Sequence, residues 1–257
     1  MQLAHLSWPE VENYLGLFNG IVIPIGSTEQ HSTAGLIGTD AICSESIAWH
    51  AGAQTEGMLV APTLCYTPAQ FNLGFPGSIS VRTTTLLALL QDIVQSLAYN
   101  GFRNVYFLNG HGANIAVLKA FIHDWHQQSV LSKTDTLRFR IKSWWEFKEV
   151  NDLRQRLYGE REGMHATPSE ISITQFTHRT VRHFETGFRK LETSYYQDHA
   201  GDNHQDAAQH RSQFPTGAVG SDPTLANSKD GKNLLELASN ALVSDYTHFT
   251  ASNSAGK

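Results

Sequence analysis

What this sequence lacks excludes several classes of protein. Only two cysteines occur among 257 residues, Cys43 and Cys65, and they are not spaced as a CxxC pair, so they cannot build a disulfide framework. We expect both to be small buried hydrophobic residues. Lysine and arginine form no run along the chain, and the net charge is -5, so we expect no nucleic-acid partner.

Long apolar runs are also absent. The longest, such as TTTLLALL, are much shorter than the ~20 residues that cross a bilayer, so we expect no membrane partner. The opening stretch, MQLAHLSWPE, holds neither a basic leader nor an apolar core, and we therefore expect a cytoplasmic protein. No repeat, low-complexity tract or linker divides the chain, so we predict a single domain over residues 1–257.

Short strands alternate with helical segments along the chain. The stretch GIVIPIGS is typical of a strand buried on both faces, and RNVYFLNGHGAN repeats the pattern, with a strand from Val105 to Leu108 that runs directly into glycines and polar residues. Further strands are predicted around Leu59 and in TLRFRIKSWW. This alternation predicts an α/β fold, a three-layer α/β/α arrangement with a mostly parallel central sheet.

Two regions carry weaker predictions. The segment from Tyr195 to Asp222 is polar and contains glycines, so we predict a surface loop whose histidines lie at the surface. Trp144 and Trp145 are adjacent at the end of a predicted strand, so we expect them to face opposite ways, one in the core and the other against a pocket.

Polar side chains of one chemical kind follow the predicted strands. Because loops at the carboxyl ends of parallel strands converge, we expect these side chains to meet at one edge of the sheet. Imidazole nitrogens and carboxylate oxygens together suit Zn, Mn, Fe or Ni, and an aspartate between two ions can bridge them. The candidates are Glu29, His31 and Asp40 after the first strand, and Asn109, His111 and Asn114 after the strand ending at Leu108.

The segment GMHATPSEIS adds two further candidates. His165 lies in a loop before a helix that begins at Pro168, and Glu170 lies in the first turn of that helix. A surface histidine and an acid that stabilises a helix start explain the same residues without a site. In the same way, NGHG alone is typical of a turn with a hydrogen-bonded histidine, and an E-x-H pair alone is a weak signal.

An ordered series of motifs resembles one known family. PIGSTEQHSTAGLIGTDA, FPGSIS, NGHGAN, HATPSEIS and GSDPTLA occur in this order between Ile21 and Ala226, and together they resemble the creatininase (creatinine amidohydrolase) family. The resemblance implies an α/β/α fold and a homo-oligomer, often a hexamer. It also implies two divalent metal ions per subunit that support hydrolysis of a C–N bond in a small cyclic amide or formamide.

The resemblance also implies roles for individual residues. The first metal would be held by Glu29, Asp40 and His111, and the second would be shared by His31 and Asp40. The catalytic histidine of the family matches His165, and the acid five residues later matches Glu170. We further predict that substrate or ligands are contacted by three residues, namely Asn109, Asn114 and Trp145.

Departures from the family pattern concern the substrate and the second metal. In creatininase proper, NGH is followed by a bulky residue and a glutamate ligand, whereas this chain has Gly112 and Ala113. Glu170 or water then completes the second site, or only one metal binds tightly. The loop before FPG has Ala69 and Asn72 where relatives often carry serine and histidine, which argues against creatinine itself.

Three functional hypotheses follow from the sequence. The first is a metal-dependent amidohydrolase in which His165 gives a proton to the departing nitrogen. The second is a formamide deformylase of pterin or flavin precursors, since the family includes such enzymes. The third is a metal-binding or small-molecule-binding relative that has lost hydrolysis.

Overall fold

The computed structural model describes residues 1–134, 137–181, 188–191 and 206–251. Its centre is a sheet of four parallel strands in the order β2-β1-β3-β4. The strands are β1 (Gly20–Ile25), β2 (Leu59–Val60), β3 (Asn104–Asn109) and β4 (Arg138–Ser143). The predicted parallel sheet is confirmed.

Helices cover both faces of the sheet, as predicted. In the part of the chain that the structure describes, the α-helices are α1 (Trp8–Leu15), α2 (Thr39–Gly52), α3 (Thr83–Tyr99), α4 (Asn114–Ser132), α5 (Lys148–Tyr158), α6 (Pro168–Thr177), α7 (Ala207–Gln213) and α8 (Ser228–Ala251). Short 3-10 turns lie at Leu3–His5, Gln70–Gly74, Trp144–Glu146, Gly159–Arg161 and Pro223–Leu225.

The alternation of side chains along β1 builds a core on each face of the sheet. Ile21, Ile23 and Ile25 pack into a cluster with residues of α1, α3 and α4. Val22 points to the opposite face, into a cluster with residues of α2, α6 and α8. All six residues of β1 are buried, and each buried isoleucine contributes roughly 1.5–3 kcal/mol of transfer free energy.

A proline within β1 is tolerated because its neighbour strand is short. The carbonyls of Val22 and Pro24 accept hydrogen bonds from Ala61 and Leu64, so these residues face the β2 edge. Pro24 has no N–H to donate to that edge. The regular β2 pairing ends at Val60, before the missing donor is needed, and resumes only as an isolated bridge to Leu64.

The predicted surface loop at residues 195–222 is wrong for its described part. Residues 207–213 form α7, which begins with a capping box between Asp206 and Gln209. His210 is buried, with its ring near Phe214, so the predicted surface position is wrong for this histidine. The sequence signals were the D-x-x-Q capping pattern and the apolar Phe214. His199 and His204 lie outside the described residues.

The prediction for Trp144 and Trp145 holds in part, because Trp144 is buried in a core cluster, but the two side chains do not face opposite ways. Strand β4 ends at Ser143, which begins a 3-10 turn with a capping box to Glu146. In that turn the two indole rings pack edge to face with their centroids 5.7 Å apart, and both line the same cavity. The prediction of burial holds for Cys43, whereas Cys65 is only partly buried.

No helix within the described ranges combines the length and the apolar character needed to cross a bilayer.

The contact between α6 and α8 depends on a glycine. A Cβ atom at Gly231 would overlap the backbone carbonyl of Ser172. We predict that Gly231→Ala lowers the free energy of unfolding by more than about 2 kcal/mol, because backbone overlap cannot be relieved by a rotamer change. Urea unfolding measures this effect.

The matched control is Asn233→Ala on the exposed side of α8, which should stay within about 0.5 kcal/mol of wild type. Equal stability of the two variants would contradict the packing described here.

Candidate metal centre

Glycines let the ends of β1 and β3 approach the first turn of α2. A Cβ atom at Gly26 would overlap the backbone of Ala41, and one at Gly110 would overlap the carbonyl of Asp40. These two positions therefore require glycine, because any side chain would push helix α2 away from the sheet. The close approach brings Asp40, in the first turn of α2, between residues that follow the two strands.

Asp40 lies between two histidines and contacts both. Its Oδ1 lies 2.9 Å from His31 Nε2, and its Oδ2 lies 2.9 Å from His111 Nδ1. The hydroxyl of Ser27 donates a hydrogen bond of 2.7 Å to Oδ2. Each oxygen of the carboxylate thus belongs to a different side of the cluster, which is the arrangement expected of a bridging ligand.

Asp40 belongs to two groups of three candidate metal ligands. The first comprises Glu29, Asp40 and His111, and the second comprises His31, Asp40 and Glu170. In each group the candidate ligand atoms lie within 4.8 Å of one another. A third group, which combines Glu29 and His31 with His165, meets the same criterion. The structure therefore brings together all six residues predicted for the metals and catalysis.

Glu29 provides a test of whether a cation fits. Its side chain is fully buried, and neither carboxylate oxygen accepts a well-formed hydrogen bond among the described residues, although the Asn72 amide lies close enough to favour the charged form. Its Oε1 lies 3.4 Å from His111 Nδ1 and 3.5 Å from His165 Nδ1. Burial raises the pKa of this carboxyl group, since the charged form has lost its water. A buried carboxylate without well-formed hydrogen bonds is costly, and a divalent cation between these residues would remove that cost.

The surrounding acids make the cluster attractive to positive charge. Burial by itself lowers the pKa of His31, but the carboxylates of Asp40 and Glu170 outweigh it and raise that pKa to about 10. For His111, burial is likewise outweighed by Glu29 and Asp40, which raise the pKa to about 9. Burial opposes ionisation of Asp40 too, but the two histidines hold its pKa well below the usual range. His31 and His111 thus each hold an additional proton beside Asp40. Those protons lie where two metal cations would bind.

Backbone carbonyls orient both imidazole rings. His111 Nε2 lies 2.9 Å from the carbonyl oxygen of Pro68, and His31 Nδ1 lies 3.2 Å from that of Glu29. Carbonyl oxygens accept only, so these nitrogens carry hydrogen. The opposite nitrogens, which face Asp40, are then available as ligands.

Glu170 combines the two roles that the sequence left open, an acid at a helix start and a member of the cluster. It accepts a hydrogen bond of 2.5 Å from the backbone N–H of Thr167 in a capping box, so it does stabilise the start of α6. The same oxygen lies 3.9 Å from His31 Nε2. Burial raises the pKa of Glu170 to about 7. A helix-start acid can thus also face the cluster.

His165 is not a surface histidine. Its ring lies 4.5 Å from the His31 ring, and its Nε2 lies 2.8 Å from the carbonyl oxygen of Gln30. Burial, followed by the positive charge of His31, lowers the pKa of His165 well below its usual value. The loop histidine therefore belongs to the cluster, and its surroundings favour the neutral imidazole.

The two asparagines hold the loop after β3. Asn109 Oδ1 accepts from the His111 N–H at 3.1 Å and from Asn114 Nδ2 at 3.2 Å. Asn114 Nδ2 also donates to the carbonyl of Gly26 at 3.0 Å. Both side chains are fully buried, so their observed contacts position His111, and substrate contact stays a prediction.

Gln30 is a contact residue that the sequence argument missed. Its Nε2 lies 2.7 Å from Asn72 Oδ1 and 3.1 Å from the carbonyl of Gly217. The same residue's carbonyl meets His165, so Gln30 connects three distant segments. Its position between Glu29 and His31 was the available signal, but residue type alone could not indicate partners more than a hundred residues away.

A cavity of about 240 Å³ opens onto the cluster. Its wall includes Asp40, His111, His165 and Glu170 from the cluster, together with Trp144, Trp145 and Arg154. Both tryptophans line this cavity, and substrate contact by Trp145 stays a prediction. The cavity is smaller than the ~300–1,000 Å³ of typical ligand pockets, which favours a small ligand.

Comparisons with known proteins identify relatives of this chain. Creatinine amidohydrolase from Pseudomonas putida is 27% identical over 164 residues, which are 62% of this chain and 63% of the relative. The mycofactocin precursor peptide peptidase of Mycolicibacterium smegmatis is 33% identical over 107 residues, or 40% of this chain and 43% of the relative. The chain thus spans less than two thirds of the length of these curated relatives.

Solved structures show the same fold. A manganese form of creatininase and a variant described as the Zn-Zn type each superpose with a TM-score of 0.76. Each is 21% identical to this chain, and the superposition covers 97% of this chain and 98% of the other. The profile of the creatininase family, described as creatinine amidohydrolase, matches residues 4–245. The chain therefore belongs to the creatininase family.

Proposed function

We propose that the protein is a metal-dependent amidohydrolase that hydrolyses the C–N bond of a small cyclic amide or formamide. The observation that carries this proposal is the position of Asp40, whose two oxygens face His31 and His111 separately. The oxygens of the buried Glu29 support it, because they accept no well-formed hydrogen bond among the described residues. Membership of an amidohydrolase family agrees with a hydrolytic role.

Two divalent ions, Zn or Mn by analogy with the creatininase forms and otherwise Fe or Ni, fit the ligand chemistry. Glu29, Asp40 and His111 would hold one ion, and His31, Asp40 and Glu170 would hold the other. Such ions lower the pKa of water and polarise a carbonyl group. Glu170 would take the place of the glutamate that the family pattern has at Ala113.

We assign proton transfer to His165. The amide group of Gln30 has two N–H donors, and Asn72 and Gly217 accept both. The side chain of Gln30 therefore has no N–H left for His165. The Nε2 of His165 accordingly carries hydrogen and donates it to the backbone carbonyl of Gln30 at 2.8 Å. This leaves Nδ1, which faces Glu29 at 3.5 Å, to accept a proton from the attacking water and deliver it to the departing nitrogen. The step is needed because an amide nitrogen is too basic to leave unprotonated.

The cavity limits the size of the substrate. A volume of about 240 Å³ between the cluster and two indole rings suits a molecule with few heavy atoms. In the proposal, Trp145 contacts the substrate, and Asn109 and Asn114 contribute through the loop that carries His111. A formamide deformylase and a non-catalytic binding protein remain the alternatives, and the peptidase among the relatives adds a peptide to the substrates worth testing.

The assembly and the location are further parts of the proposal. We propose a cytoplasmic homo-oligomer, with a hexamer expected from the family resemblance. Sedimentation of the purified protein measures the number of subunits.

The proposed reaction predicts activity that depends on metal. We predict that chelator-treated protein loses hydrolysis, and that Zn or Mn restores it toward at least one member of a panel of creatinine, other cyclic amides, formamides and a short peptide. Elemental analysis and product release are measured on the same samples. Full metal occupancy without hydrolysis of any probe would favour the binding-protein alternative, and activity of metal-free protein would contradict the proposal.

The ligand assignment predicts a change in metal content. We predict that His111→Ala reduces the metal bound from two ions per chain to one or fewer, since it removes the imidazole that faces Asp40 and Glu29. His123→Ala is the matched control, because His123 is an exposed histidine on α4. Unchanged stoichiometry in His111→Ala, measured by elemental analysis, would show that the ligand set is wrong.

The role of His165 can be separated from metal binding. We predict that His165→Ala lowers kcat by about 10²–10⁴-fold, the usual contribution of a positioned acid or base, with metal content unchanged. Loss of one ion together with activity would instead place His165 among the ligands, in the group with Glu29 and His31.

A further inference from the structure

The wall of the cavity contains a cation that the proposed reaction does not use. Among the described residues that line the cavity, Arg154 of α5 is the one with a permanent positive charge. Its side chain is 12% exposed, so it is largely enclosed but still reachable from the cavity. An enclosed guanidinium beside a small cavity is a candidate for recognising the ligand.

One edge of the guanidinium is fixed by buried partners. Arg154 Nε donates to Glu162 Oε1 at 2.8 Å and to Ser169 Oγ at 3.2 Å. Both partners are buried, and Ser169 also donates to Glu162. The guanidinium carbon lies 5.6 Å from the centroid of the Trp144 ring, so a face of the group is supported too.

The other edge of the guanidinium retains donors. Arginine carries five N–H groups, and the Nε contacts use one of them. Nη1 reaches Asn151 Oδ1 only at 3.5 Å, the limit of a hydrogen bond, and Nη2 has no acceptor within the described ranges. A guanidinium edge on which Nη1 has only this long contact and Nη2 has no acceptor in the described part of the chain can match the two oxygens of a carboxylate.

The pair with Glu162 does not by itself explain this arrangement. A purely structural ion pair needs one edge of the guanidinium, and that edge is already satisfied by Glu162 and Ser169. The cavity elsewhere is acidic, with Asp40 and Glu170 in its wall. In the proposed function these acids would be engaged by the metal ions, so a carboxylate on the ligand would find its hydrogen-bond donors at Arg154.

We propose that Arg154 determines specificity by binding a carboxylate carried by the substrate. The substrate class is then a small amide or formamide that bears a carboxylate in addition to the bond that is cleaved. Glu162 and Ser169 are positioning residues that hold the guanidinium edge toward the cavity. This inference deepens the proposed function and rests on it.

Calorimetric binding to the metal-loaded protein tests the inference with matched probes. The probes are N-formylglycine and N-formyl-β-alanine, each compared with its carboxamide, and formate release is measured separately. We expect at least one acid to bind the wild type about tenfold or more tightly than its carboxamide, as for a hydrogen-bonded charge pair. In Arg154→Gln this ratio should fall to about one, with binding of the carboxamide unchanged.

Two further variants control for loss of charge and for misfolding. Arg156→Gln removes the same charge from an exposed position on the same helix, and it should keep the wild-type ratio. The double variant Arg154→Gln, Glu162→Gln leaves no unpaired buried charge, so it tests the same loss where the single variant folds poorly. Circular dichroism and metal content identify the variants that fold.

Each outcome decides the inference. No preference for either acid in the wild type would overturn it, and so would a preference that persists in folded Arg154→Gln, because the carboxylate would then bind the metals directly. A preference that depends on Arg154 without any formate release would keep the inference and count against hydrolysis of these formamides. The binding site and the reaction can therefore fail separately.

Discussion

The carboxylate of Asp40, placed between His31 and His111, is the interaction on which the rest of the site depends. Its Oδ1 lies 2.9 Å from Nε2 of His31, and its Oδ2 lies 2.9 Å from Nδ1 of His111. That position exists only because Gly26 and Gly110 let the first turn of α2 meet the ends of two strands without a side chain between them. The parallel sheet, the glycines and the helix start therefore act together to place one bridging group.

The same arrangement carries an energetic cost that explains its chemistry. Glu29, Asp40 and Glu170 are all buried, and burial opposes the charged form of each carboxylate. Protons on His31 and His111 offset this cost in part. Divalent ions would offset it more fully, so the affinity for metal and the stability of the fold are coupled through these five residues.

The sequence was most informative where local patterns determine structure. Buried strands that run into glycines and polar residues predicted the sheet, and the position of Glu29, His31 and Asp40 after such a strand predicted convergence. The sequence could not indicate contacts between distant segments. Gln30 meets His165 across 135 positions, and neither residue type nor spacing carries that information.

Polar composition was misleading for one segment of the chain. The segment containing α7 has few apolar residues and most of α7 is exposed, but Phe214 and Val219 pack with Leu191, and His210 is buried. A single anchoring contact determines burial here, and composition averages over it.

The central claim is that two ions share the carboxylate of Asp40. Anomalous diffraction from crystals of the zinc-loaded protein measures this directly. The account predicts two peaks, one beside His111 and one beside His31, with an Asp40 oxygen next to each. A single peak away from Asp40, or two peaks that the carboxylate does not bridge, would contradict it.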